Sequence, residues 1–281
     1  YTKMKIKFSK MQGSGNDFVV INSLTQNVRI SADMVRHIAD RRLGVGCDQL
    51  LFIQAPIKSE TDFDLDFYNH DGSKAEQCGN GARCAAQYVF KKKLTGNRLI
   101  KMQTKASLVH LRLNDDKSVT ANMGNPIFDP KKVPFDAPKE SVLHKIDLDG
   151  TIADIAVVSM GNPHAIITVD NIDTAEVAKI GRLMQKHPRF PNRVNVNFMQ
   201  LVNRKKIKLR VFERGVGETP ACGTGSCAAV VAGVRQQLID SRVEVSQPGG
   251  ILEVEWYGAN NPVKVTGPVE HVYDGIFNYE E

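Results

Sequence analysis

The stretch EQCGNGARCAA, residues 76–86, sets two cysteines into a glycine-rich turn, and PACGTGSCAA, residues 220–229, says nearly the same thing again. The leading cysteines, Cys78 and Cys222, are 144 positions apart, and the copies differ by one inserted residue before the second cysteine. Other segments keep nearly the same offset. DFYNHDG (66–72) lies opposite RVFERGV (210–216), placing Asn69 on Glu213. SGNDFVVIN (14–22) lies opposite MGNPHAIIT (160–168), placing Asn16 on Asn162, and CDQLLFI (47–53) lies opposite VNVNFMQ, placing Gln49 on Asn195. Four matches in one order imply two homologous halves of roughly 140 residues each.

The local patterns agree. In the first half KIKFSKM, FVVIN, QLLFIQ and the alternating DFDLDFYN read as strands, SADMVRHIADRR as a helix capped by Ser31, and the segment after Cys78 as another helix. LIKMQTK, LVHLRLN and SVTANM follow as strands. The second half repeats the order: strands IADIAVVSM and HAIITVD, helix TAEVAKIGRLMQKH, strands VNVNFMQLV and KIKLRVFER, a helix after Cys222, then RVEVSQ, ILEVEWY and VKVTG. The expected fold is α/β, with two pseudo-symmetric domains, each a mostly antiparallel sheet wrapped around a central helix. The turn-rich MGNPIFDP marks the boundary, and PVEHVYDGIFNYEE has no counterpart in the second repeat. Residues 1–122 with 268–281 are therefore expected to form one half and residues 123–267 the other.

Composition narrows the function. With 42% hydrophobic and 24% charged residues, the chain reads as an ordinary globular protein. No apolar run approaches the ~20 residues of a membrane helix. The net charge of +6 is scattered, without zinc-finger spacing or an RNA-binding aromatic signature, so nucleic acid is not an expected partner. Five cysteines, an odd count, and no secretory signal point to a reducing cytoplasm. The chain opens on Tyr1, and translation is expected to begin at Met4.

Each glycine-rich turn opens a helix. The first helical amides lack internal partners and favour an anion, and the same positive end lowers a cysteine below its reference pKa of about 8.5. Two such turns facing each other across a pseudo-twofold axis suit proton exchange at a carbon next to a carboxylate, with one thiolate removing the α-proton and the opposite thiol delivering another. Helix ends on the carboxylate then stabilise the enolate-like charge without metal or cofactor. Cys47, Cys84 and Cys227 read as packing residues. Asn16, Gln49, Asn69, Asn162, Asn195 and Glu213 are polar at matched positions, which singles them out as a set. Arg214 can clamp a second carboxylate. His164, taken by itself, reads as a satisfied structural histidine.

The motifs GSGNDF, GVGCDQLL, FYNHDGS, QCGNGARC, GNPH, RVNVNF, ERGVGET and ACGTGSCAA, in this order from Gly13 to Ala229 and continued by PGG and TGPVEHVYDG, closely resemble the diaminopimelate epimerase family. The resemblance covers nearly the whole chain. It implies that Cys78 and Cys222 are the two proton donor/acceptors, and that backbone amides at Gly79, Asn80, Gly223 and Thr224 hold the reacting carboxylate. It further implies that Asn16, Gln49, Asn69, Asn162, Asn195, Glu213 and Arg214 recognise the amino groups and distal carboxylate, and that His164 and Glu213 support catalysis. The implied reaction converts LL-2,6-diaminopimelate to the meso form, in lysine and peptidoglycan precursor biosynthesis, with no pyridoxal phosphate and no metal, usually in a homodimer. Gln12 stands where many members have His. Two rival readings remain: a proline or hydroxyproline racemase, whose first turn resembles MCGHG, and a redox or metal module, which spacings of five and four residues between cysteines fit poorly.

Overall fold

The computed structural model describes residues 3–75, 78–105 and 107–280. Gln77 of QCGNGARC and the two residues at the start of the chain, on which the Met4 expectation rests, lie outside them. The chain divides into two compact units, one running to Ala121 and resuming at Thr266, the other Asn122–Val265. The first holds β1 (Lys3–Gly13), β2 (Asn16–Asn22), α1 (Ala32–Ala39), β3 (Gln49–Gln54), β4 (Phe63–Asn69), β5 (Lys74–Ala75), α2 (Gly79–Lys91), β6 (Leu99–Gln103) and β7 (Leu108–Leu113). The chain leaves it within β8 (Val119–Asn122). The second holds β9 (His144–Leu148), β10 (Thr151–Ser159), β11 (Pro163–Thr168), α3 (Val177–Lys186), β12 (Asn195–Asn203), β13 (Lys206–Glu213), β14 (Gly217–Thr219), α4 (Gly223–Arg235), β15 (Arg242–Gln247) and β16 (Gly250–Glu255). The chain returns within β17 (Lys264–Gly267) and ends in β18 (Glu270–Glu280).

The two units share one topology. In the first the ladder runs β18, β1, β2, β3, β4, β6, β7. In the second it runs β9, β10, β11, β12, β13, β15, β16. Pairing is antiparallel except for β2/β3 and β4/β6, and their counterparts β11/β12 and β13/β15. Each parallel pair is bridged by a helix, as a parallel connection requires. Even the register repeats: Phe18 faces Gln49 as His164 faces Asn195, and Phe67 faces Ala75 as Val211 faces Thr219.

The strands read FVVI and QLLFI because they are buried on both faces. On one face Val19, Ile21, Leu50 and Phe52 meet Met34, Val35 and Ile38 of α1. On the other, Phe18, Leu51 and Phe67 converge on Gly81, where an added Cβ would come within 2.9 Å of the Phe67 ring. A glycine there lets the sheet close onto α2, which touches β1 to β4 and β7. α4 is wrapped the same way by β10 to β13 and β16. Among the described residues no helix is long and apolar enough to cross a membrane.

Three sequence expectations change. The helix beginning at Ser31 stops at Ala39, because the Asp40 carboxylate takes the amides of Arg42 and Leu43 at 2.7 Å each and turns the chain. The third helix begins at Val177 instead of Thr174, on a cap residue, Glu176, whose side chain makes no cap bond. Strand β9 (HKIDL) was not read, being five residues within a Pro- and Lys-rich stretch.

The fourth change concerns the cysteines. Helices α2 and α4 both have 13 residues and keep the 144 offset from N-cap to C-cap. Their ends match as well: the amides of Leu94 and Leu238 reach back to Val89 and Gly233, and Lys93 and Gln237 adopt φ of 57° and 60°. There is no inserted residue. Cys84 and Cys227 are thus six and five positions beyond their caps, about 100° apart on the helix. The residue of α2 equivalent to Cys227 is Arg83, which is fully buried.

Candidate active site

Cys78 and Cys222 are the N-cap residues of α2 and α4. Both have φ −142° and ψ 113°, and both use the sulfur as the cap acceptor: Gly81 and Gly225 donate their amides to Sγ at 3.4 Å. Internal helix bonding begins with Ala82 to the Cys78 carbonyl and Ser226 to the Cys222 carbonyl. What remains of each first turn is the pair of amides of Gly79 and Asn80, or Gly223 and Thr224, ahead of a positive helix end.

The matched polar residues gather at the same end of each sheet. Asn16 starts β2, Gln49 starts the parallel β3, and Asn69 ends the antiparallel β4. Gln49 donates to the Asn69 side chain at 3.0 Å. Asn80, 2% exposed, donates to Asn16 at 2.6 Å and accepts from Arg83 at 2.8 Å, so a buried guanidinium sets the orientation of both amides. Asn16 in turn donates to Asp48 at 3.4 Å.

Behind Asn16, Asp17 and Asp48 latch the starts of β2 and β3. Asp17 accepts the Asp48 amide at 2.9 Å, and Asp48 accepts that of Asp17 at 3.2 Å. Lys10 and Arg41 bind Asp17 at 2.6 and 2.7 Å. Burial opposes the Asp17 charge, but these hydrogen bonds prevail and hold its carboxyl well below the usual range. Its stabilising effect is therefore present above the unfolded carboxyl's pKa of about 3.9 and is lost as pH falls below it. Asp17→Asn is expected to lower stability by about 2 kcal/mol at pH 7, with the difference shrinking toward pH 3; urea unfolding at the two pH values checks this.

In the second unit Glu213 ends β13 beside Cys222. Cys222 Sγ donates to Glu213 Oε2 at 3.6 Å and lies 3.5 Å from Thr224 Oγ1. Thr219 Oγ1 donates to Glu213 Oε1 at 2.5 Å. Burial raises the Cys222 thiol well above its ordinary value, and the neighbouring Glu213 raises it further. Burial also raises Glu213, against the hydrogen bonds from Thr219 and Cys222. The expected lowering by the helix end thus does not prevail at Cys222 in this state. Cys47 is pushed up to about 12, and Cys84 is also raised, both by burial.

His164 is fully buried and neutral, its pKa pushed down to about 3 by burial and by the charge of Arg214. Its Nε2 is 2.9 Å from Asn162 Oδ1, and Asn162 Nδ2 is 3.4 Å from Thr224 Oγ1. Asn195, 3% exposed, is engaged at both ends by backbone: it donates to the Pro163 carbonyl at 3.0 Å and accepts the Arg214 amide at 2.8 Å. It therefore places the backbone from which the exposed Arg214 side chain extends. Among the described residues no three His, Cys, Asp or Glu side chains gather as a metal site.

The sequence profile of the diaminopimelate epimerase family matches residues 8–128 and 156–272, one stretch in each half. The chain belongs to the diaminopimelate epimerase family. It is 46% identical over 272 residues to the diaminopimelate epimerase of Ectopseudomonas mendocina and 48% identical over 272 residues to that of Teredinibacter turnerae. Each alignment covers 97% of this chain and 99% of the relative. Among solved structures, a PhzF-family phenazine biosynthesis protein of Bacillus anthracis aligns with a TM-score of 0.69 at 15% identity, covering 98% of this chain and 99% of its own. A hydroxyproline epimerase from Agrobacterium vitis aligns with a TM-score of 0.69 at 14% identity, covering 99% of this chain and 93% of its own. These two share the fold. Within this diaminopimelate epimerase fold, four site-building residues went unread in the sequence: Asn197, Thr219, Arg83 and Gln247. The last accepts the Cys222 amide at 2.9 Å and donates to Ser226 at 2.8 Å. Asn197 and Thr219 stand opposite Leu51 and Ala75 in the other half, so the repeat gave no signal for them.

Proposed function

We propose that this chain epimerises LL-2,6-diaminopimelate to the meso form by a two-base proton transfer in which Cys78 and Cys222 serve opposite faces of one α-carbon. The observation that carries this reading is the pair of sulfur-capped helix N-termini with the same backbone angles and the same Sγ–amide distance. In this reading the amides of Gly79, Asn80, Gly223 and Thr224 bind the substrate carboxylate, and helix N-termini stabilise the charge that develops when its α-proton leaves. One sulfur takes that proton as a thiolate; the other, protonated, delivers a proton to the opposite face, and the carbon is inverted. Reversal exchanges the two roles. The chemistry calls for no pyridoxal phosphate or metal.

Glu213 receives the Cys222 proton, a role that its 3.6 Å contact with Sγ supports, and His164 acts through Asn162, 2.9 Å from its Nε2. Asn16, Gln49, Asn69, Asn162, Asn195, Glu213 and Arg214 form the recognition set for the amino groups and distal carboxylate, Asn195 through the backbone it positions. The step belongs to lysine and peptidoglycan precursor biosynthesis in the cytoplasm, and the active form is a homodimer. Incubation with LL-diaminopimelate in deuterated water, followed by chiral separation and mass analysis, tests the reading. Deuterium entering one α-carbon with inversion is expected; inversion that retains the original hydrogen would overturn the two-base scheme.

A further inference from the structure

Asn197 is fully buried on β12, and its side chain is bonded asymmetrically. Its Nδ2 lies 3.1 Å from His164 Nδ1, 3.2 Å from the Ala165 carbonyl and 3.4 Å from the Asn195 carbonyl. Its Oδ1 is buried with no hydrogen-bond partner among the described residues. Turning the amide over would aim the oxygen at two carbonyls, so the observed orientation is enforced. A buried acceptor left without a partner is destabilising, because it gives up its hydrogen bonds to water and gains none in return. The cost is met at the residue that touches His164. The oxygen points at Gly225 of the Cys222 turn, where an added Cβ would come within 2.5 Å of it.

The amide nitrogen can only donate, so His164 Nδ1 must accept. The ring proton of neutral His164 is then on Nε2, which donates to Asn162 Oδ1 at 2.9 Å. With its oxygen so engaged, Asn162 turns Nδ2 toward Thr224 Oγ1, which is 3.5 Å from Cys222 Sγ. Every member of this chain belongs to the second unit.

We propose that Asn197 is a positioning residue for the epimerase reaction: it fixes the Nε2–H tautomer of His164 and thereby the direction of the Asn162 amide beside the Cys222 turn. This rests on the epimerase reading for its kinetic consequence, but the tautomer is measured independently of activity. Nitrogen-15 NMR of protein labelled in the histidine ring is expected to show wild-type His164 with Nε2 protonated and Nδ1 bare. Asn197→Leu, similar in volume and without a donor, is expected to populate both tautomers. Asn197→Asp, which offers an acceptor, is expected to move the proton to Nδ1. With folding verified by circular dichroism, both variants should lose roughly 10- to 100-fold in kcat, by analogy with the hydrogen-bond partners that orient metal-bound histidines, with the smaller change in KM.

A wild-type spectrum with the proton on Nδ1 overturns the proposal, and it does so even if neither variant folds. So does a loss of kcat in Asn197→Leu with the wild-type tautomer intact, because that loss would come from packing. If wild-type protein shows the Nε2–H tautomer but does not epimerise diaminopimelate, the functional reading fails and the tautomer assignment stands.

Discussion

Cys222→Ala is expected to lower the rate of epimerisation about 10³-fold or more, and Cys78→Ala to do the same. Each sulfur caps a helix, and in the proposed scheme each carries a proton for the α-carbon, which alanine cannot do. The two losses should differ in kind from simple inactivation. An enzyme with one thiol can still exchange the α-proton on that thiol's face without inverting the carbon. Deuterium wash-in is therefore expected in one stereochemical form of the substrate and not the other, with the preferred form switching between the two variants. Cys84→Ala and Cys227→Ala remove sulfurs that are fully buried in α2 and α4, and should keep kcat while losing about 1 kcal/mol of stability. A Cys222→Ala variant with more than a tenth of wild-type kcat would remove Cys222 from the mechanism.

Glu213→Gln is expected to cost about 10²-fold in kcat, the lower end for loss of a general base. Burial and the adjacent carboxylate push the Cys222 thiol upward, and its Sγ lies 3.6 Å from Glu213 Oε2, within reach for a proton transfer under the proposed two-base scheme. Gln keeps the shape and the acceptor for Thr219 but cannot take a proton. Because burial raises the Glu213 carboxyl, ionised Glu213 is lost at higher pH than a free glutamate, whose pKa is about 4.3. The acid limb of kcat/KM should accordingly lie above that value in the wild type, as a property of the coupled Glu213–Cys222 pair. It should be absent or displaced in Glu213→Gln. A variant with unchanged rate and an unchanged acid limb would assign that limb elsewhere.

The duplication was legible because its markers are residues a sheet cannot replace freely: glycine at a helix start, and asparagine, glutamine or glutamate where a buried strand meets the open end. Cys78 and Cys222 were legible for the same reason. Cys84 and Cys227 misled, since matching two cysteines by type requires an insertion that an unbroken helix does not accommodate; Arg83 stands in the equivalent place. Asn197, Thr219 and Gln247 act through side-chain contacts inside one unit, and no periodicity or repeat marks such contacts. His164, which taken by itself reads as a satisfied structural histidine, is buried with partners on both ring nitrogens, and those partners orient it.

Strands β9 and β18 fill the same place in the two ladders. β9 pairs with β10 so that His144 faces Ile155, and β18 pairs with β1 so that Gly275 faces Phe8. One comes just before its partner in the chain, and the other comes from the far end of the sequence. The second unit is one continuous segment, so its sheet closes without strands from outside that segment. The first leaves the outer edge of β1 unpaired until the eleven-residue β18, distant in sequence, docks on it. Such long-range pairing slows folding and leaves an open strand edge until it forms. Removing β18 would thus leave the second unit's strands intact and the first unit with an open β1 edge.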